Sequence, residues 1–217
     1  MKLNSQLKSA LVASVTIIAT ITGSPLVLAD SPNLNQPVNS TQVPQLAQFR
    51  GTPEEERSQL LQQARMLLSQ GDFSGAEANL RDLTKKFPRY ALAHFELGNL
   101  LFQQNQPEAA ITAYQEAIRL NSNHALAHNG IGLVYASQNR WQEAITAYQK
   151  ALNINPNYGD ALANVAVAFL QNNQKNEGIA SLEKALEIFK SQSRNERVLH
   201  IEQVLQQLKN SDQPDIS

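Results

Sequence analysis

Residues 91–124 read ALAHFELGNLLFQQNQPEAAITAYQEAIRLNSNH, and residues 125–158 read ALAHNGIGLVYASQNRWQEAITAYQKALNINPNY. Laid over one another, His94 meets His128, Leu97 meets Ile131, Gly98 meets Gly132, Ala110 meets Ala144, Tyr114 meets Tyr148 and Ala117 meets Ala151, all at a spacing of 34. A fixed period of this length marks one helix–turn–helix unit. Such a unit cannot bury its apolar face alone, so neighbouring units must stack into a solenoid.

Working outward at the same spacing gives four units, 57–90, 91–124, 125–158 and 159–192. The fourth drifts but keeps Val165-Ala166, Phe169, Gly178, Leu182 and Ala185; the first drifts most, keeping Ala64, Leu67, Ala76, Leu80 and Pro88. Small residues recur where two helices must approach closely: Ala64, Gly98, Gly132 and Ala166 on the first helix, and Ala76, Ala110, Ala144 and Gly178 on the second. Larger side chains there would force the helices apart and open cavities. Between the helices of each unit stands Gly71, Asn105, Asn139 or Asn173, residues that tolerate the left-handed backbone ending a helix. Pro88 and Pro156 fall near the ends of second helices, where a helix must stop. Apolar residues between these breaks follow helical spacing, and no segment shows sustained strand alternation.

The units resemble the tetratricopeptide repeat family, over 136 of 217 residues. The resemblance implies an all-α fold, a right-handed α-solenoid of four helix–turn–helix repeats. Thr52-Pro53-Glu54-Glu55 combines a capping residue, a proline at the first helical position and acid in the first turn, so the first solenoid helix begins near Pro53. At the other end Val198, Ile201, Val204, Leu205 and Leu208 make a single apolar stripe in an otherwise polar segment. That is the form of a C-terminal capping helix, expected over 194–209, within a solenoid domain of 52–210. A tail, 211–217, is expected to fray.

Residues 1–29 stand outside the repeat pattern. Lys2 and Lys8 precede an apolar run from Ala10 to Ile21, which Gly23 and Pro25 break before Val27-Leu28-Ala29. This reads as a secretory signal peptide cleaved after Ala29, and so as a chain exported to a periplasm or an equivalent extracytoplasmic lumen. The rival reading is a retained membrane anchor, but the run is short for a span of about 20 residues. Residues 30–51, with Pro32, Pro37 and Pro44 and much Asn, Gln and Ser, read as a linker too polar to fold alone. Either it is a flexible tether, or Leu46 and Phe49 dock on the solenoid.

The absence of cysteine excludes disulfides, thiol catalysis and cysteine–zinc sites. Removing Lys2 and Lys8 from 18 basic residues leaves 16 against 19 acidic ones, a net of about −3. The only basic cluster, Arg81, Lys85, Lys86 and Arg89, lies beside Asp82 and is not the stripe that nucleic-acid binding needs. Stable membrane insertion after signal cleavage has no support either. His124 and His128 lie four apart on one expected helix, sharing a face, but a metal site needs a third ligand. His94 and His128 occupy the place where the resembled family carries a bulky aromatic, which implies packing. Trp141 and Phe73 are expected to pin second helices onto first helices. No GxSxG and no glycine-rich phosphate loop occurs, so no catalytic residue, metal or cofactor is expected.

In the resembled family the first helices line a concave groove that holds an extended peptide or a partner helix. Carried over, the partner-binding positions are Leu61, Arg65 and Leu68 in the first unit, Phe95, Asn99, Phe102 and Gln103 in the second, Asn129, Leu133 and Ala136 in the third, and Ala163, Val167 and Leu170 in the fourth. Some members grip a C-terminal carboxylate with a lysine, asparagine and arginine clamp. The matching places here hold Leu61, Arg65, Leu133, Asp160 and Asn164, so the clamp is incomplete. Phe95 and Phe102 are the expected anchors, and Asn99 and Asn129 the expected hydrogen-bonding groups for a peptide backbone. The expected function is a protein-interaction scaffold or assembly factor. The alternatives are a self-associating module, a homo-oligomer whose groove is filled by another copy, and plain packing of these residues within the fold.

Overall fold

The computed structural model describes residues 52–210. The signal segment, the linker with Leu46 and Phe49, and the tail lie outside the described residues. Among the described residues nine helices follow one another: α1 (Pro53–Ser69), α2 (Phe73–Lys86), α3 (Ala91–Gln103), α4 (Pro107–Leu120), α5 (Ala125–Ser137), α6 (Trp141–Ile154), α7 (Gly159–Gln171), α8 (Lys175–Ser191) and α9 (Asn195–Asn210). There is no strand among the described residues. The expected all-α solenoid of four helical hairpins is present.

Each end of α1 follows from its residues. The Thr52 hydroxyl accepts from the Glu55 amide, and the Glu55 carboxylate accepts from the Thr52 amide, a complete capping box with Pro53 inside it. Gly71 then turns the chain with φ of 78°. Asn105, Asn139 and Asn173 make the same turn at φ of 60°, 59° and 61°, as asparagine can. The turns between units are different. There the chain leaves the helix in extended backbone, as at Asn121 and Asn155, and re-enters the next one four residues later.

Within the second and third units, the two helices meet at a glycine facing a tyrosine ring. Tyr114 and Tyr148 are almost wholly buried, and a methyl group added to Gly98 would come within 2.7 Å of the Tyr114 ring. Gly130 approaches the same ring from the next unit, at 2.6 Å by the same measure. One tyrosine therefore sets the approach of both its own first helix and the following one. Successive first helices touch, α3 with α5 and α5 with α7, whereas successive second helices make no comparable contact. The layer with the shorter spacing must lie inside the curve, so the first helices line the concave face.

The two ends of the stack differ. Ala93, Ala127 and Ala161 are fully buried where each unit meets the one before it, as are Leu100, Val134 and Ala168. In the first unit the same places hold Gln59 and Met66, both exposed. At the far end α8 runs for 17 residues instead of the 14 of α2, α4 and α6. The turn after it carries Ser193 at φ of 55°. The Arg194 amide donates to the Phe189 carbonyl at 2.9 Å, as the Arg140 amide donates to that of Tyr135 at 2.9 Å. The last hairpin is thus closed by the turn used inside a unit, not between units. The capping helix is present, but it is displaced from the place of a fifth first helix. Its Ile201, Val204, Leu205 and Leu208 pack in one cluster with Leu162, Ala163, Ala166 and Leu170 of α7.

Two expectations change. Trp141 packs into the cluster of Tyr148 and Val165, but Phe73 is 37% exposed. His124 is not a helical residue beside His128; it caps α5, its Nδ1 accepting from the Ala127 amide at 3.3 Å. His94 places Nε2 at 3.1 Å from the Pro88 carbonyl, a local packing contact.

Two predictions follow from the packing and the cap. Gly98→Ala gains helix propensity of roughly 0.5–1 kcal/mol but overpacks Tyr114, a rigid ring with no room to swing. A net loss of about 1–2 kcal/mol is expected from overpacking, seen as a lower urea midpoint; a raised midpoint would show that the helices separate freely. Burial holds the His124 pKa below its ordinary 6.5, outweighing its own backbone contact and Glu96. Burial, then Lys150 and His124, lowers that of His128, and burial, then Arg197, that of His200. The unfolded chain therefore binds more protons than the folded one just below pH 6.5, and stability declines as the pH falls from there through the folded values. Urea midpoints should drop from about pH 7.5 to about pH 5, and His124→Asn, which keeps a capping side chain, should flatten the slope. Rising stability over that range would contradict the account.

Candidate functional site

The concave positions divide into an open part and a closed part. Arg65, Leu68, Phe95, Asn99, Phe102, Gln103, Leu133 and Ala136 all keep exposed surface. Leu61, Asn129, Ala163, Val167 and Leu170 do not; each is at most 7% exposed. Of the expected partner-binding residues, Leu61, Asn129, Val167 and Leu170 are therefore corrected to core positions. The physical reason is clearest for Leu170, which α9 joins in its apolar cluster. The groove spans the first three units and is shut over the fourth.

Leu126, at the start of α5, is 47% exposed. It occupies the same place in its unit as Leu92 does in the second, and the sequence reading passed over both. The signal was available in the repeat, since the position precedes Phe95 and Asn129 by one helical turn. Leu92, Phe95, Phe102, Leu126 and Leu133 supply the apolar side chains of the open groove.

A polar network runs beneath them. Arg65 donates through Nη2 and Nε to Glu96 Oε1 at 2.5 and 3.1 Å. Glu96 Oε2 accepts from Asn99 Nδ2 at 3.3 Å, and Asn99 Oδ1 accepts from the Tyr114 hydroxyl at 2.9 Å. The Glu96 side chain is only 14% exposed against 50% for Arg65. Burial, then the charge of Glu96, pushes the Tyr114 hydroxyl far above its ordinary range, so it stays a donor. Phe95 rests on both the Tyr114 ring, at 5.9 Å between centroids, and the His124 ring, at 4.9 Å. One unit further, Asn129 Oδ1 accepts from Asn164 Nδ2 at 3.1 Å.

At the shut end, Asp160 faces the capping helix. Arg194 Nη1 reaches its Oδ2 at 3.1 Å and Arg197 Nη2 its Oδ1 at 3.8 Å. Near the first unit a cleft of about 550 Å³ is lined by Ser58, Leu61, Gln62, Arg65, Met66, Ser69 and Tyr90. Among the described residues no group of three or more His, Asp or Glu is placed to hold a metal ion, and no helix is long and apolar enough to cross a membrane.

Family models described as tetratricopeptide repeat match residues 61–125 and 96–159, and a second such model matches 135–194. Solved structures with the same architecture include a crystal structure of MamA, 28% identical, covering 65% of this chain and 83% of that one with a TM-score of 0.59. MamA of Desulfovibrio magneticus RS-1 is 15% identical over 74% of this chain and 98% of that chain, TM-score 0.57. Pseudomonas aeruginosa pilF is 19% identical over 71% and 77%, TM-score 0.58. A comparison with curated proteins finds no match. The repeat spacing, the tyrosine-to-glycine packing and the family matches agree: the chain belongs to the tetratricopeptide repeat family, whose members are protein-interaction scaffolds.

Proposed function

We propose that this chain is a scaffold or assembly factor that holds a protein partner on the concave face of its first three units, outside the cytoplasm of its cell. The observation that carries the reading is the apolar strip of half-buried Phe95, Phe102 and Leu133 with exposed Leu126 along the first helices. A contiguous apolar patch on the surface of a stable fold marks an interaction site. Its aromatic members are the side chains that dominate binding energy in protein interfaces. The export reading rests on residues 1–29 alone.

Affinity capture from an envelope extract tests this, with the full chain and a Leu126→Glu version as baits. Leu126 is 47% exposed, so the substitution should change stability by no more than about 0.5 kcal/mol. A partner held by the first bait and reduced at least about tenfold on the second, as expected for a central contact, supports the groove. Identical catches would refute it. Capture of the chain's own second copy alone, with a concentration-dependent mass in solution, would support the self-associating alternative instead.

A further inference from the structure

We infer that the groove takes an amphipathic helix whose buried face carries no charge, rather than an extended peptide or a C-terminal carboxylate. This rests on the reading of the concave face as the binding surface, and goes on to name what fits it. Three features of the described residues carry it.

The first is charge. Only Arg65, Glu96 and Asp160 bring charge to the concave faces of the first helices. Arg65 and Glu96 answer one another, and Asp160 is answered by Arg194 and Arg197. A partner's charged side chain or chain terminus would lose its water and find every opposite charge already engaged, which is unfavourable. A free carboxylate fares worst, since the one cation in the open groove already holds Glu96.

The second is hydrogen bonding. An extended peptide brings a row of backbone N–H and C=O groups that must be satisfied when buried. The side chains expected to do so are committed within the fold. Asn99 Oδ1 accepts from the Tyr114 hydroxyl and its Nδ2 donates to Glu96. Asn129 is buried, and its Oδ1 accepts from Asn164. A helix satisfies its own backbone and asks only for apolar contact along one face, which Phe95, Phe102, Leu126 and Leu133 supply.

The third is length. The capping helix shuts the fourth unit, leaving three first helices. At the usual interhelical spacing of about 8–10 Å these occupy roughly 24–30 Å. At about 1.5 Å per residue, that is a helix of roughly 16–20 residues, about five turns.

The test is selection from two displayed libraries of about 16 residues with capped ends, on the full chain and on Leu126→Glu. One library has free composition; the other carries a fixed central proline, which breaks helices. The expected winners come from the first library only and carry an apolar stripe at helical spacing. Their contact face is uncharged, and they bind Leu126→Glu at least about tenfold more weakly. Their dissociation constants, by fluorescence anisotropy, should change less than about twofold between about 0.05 and about 0.5 M salt, because no exposed charge pair forms. Winners from the proline library, or winners that weaken more than about tenfold with salt, would overturn the helix proposal while leaving the groove as the binding face. Winners indifferent to Leu126→Glu, or no winners at all, would overturn the groove reading and this proposal with it.

Discussion

The approach of a helix to a tyrosine ring, with only a hydrogen atom to spare, governs this molecule. Gly98 and Gly130 both lie against Tyr114, and Gly132 lies against Tyr148. Because one ring receives glycines from two successive units, the spacing inside a hairpin and the spacing between hairpins are a single quantity. It draws the first helices together while the second helices stand apart, and the inner surface curves as a result. The aromatic ring is rigid and interiors are close-packed, so the curvature belongs to the fold and not to any ligand.

The same tyrosine reaches past the glycines to the inner surface, where its hydroxyl fixes Asn99 and, through it, Glu96 and Arg65. The floor of the groove is therefore tied to the core. Asn99, Glu96 and Arg65 are already partnered, and most of what the inner surface leaves for another molecule is hydrocarbon. Phe95, held between Tyr114 and His124, presents its remaining surface in a fixed orientation, which reduces the entropy lost when something packs on it.

Much of this was legible in the sequence because it repeats. The glycines, the tyrosines and the residues of the inner turns recur every 34 positions, and each has one physical reason to be there. What was not legible depended on departures from the repeat. Whether Leu170 is groove or core depends on α9, and α9's place depends on three added residues in α8 and a left-handed Ser193, which no period announces. Asn129 looked like a free amide because its partner, Asn164, sits one place away from the repeat-equivalent position. His124 was read as helical since a cap and a first-turn residue are indistinguishable by periodicity. Leu126 could have been found, and was missed by transferring too few positions from the family pattern.

The terminal hairpin, closed by an inner-type turn, has a consequence for how such a chain changes length. The second and third units, between the Thr52 start and the α8–α9 end, are alike blocks, each carrying its own turns and its own tyrosine ring. Duplicating or deleting one would leave both terminal structures untouched and alter only the number of inner helices offered. The molecule is in this sense a gauge: its reach is set in steps of about one helix diameter, roughly 10 Å, by gene duplication alone.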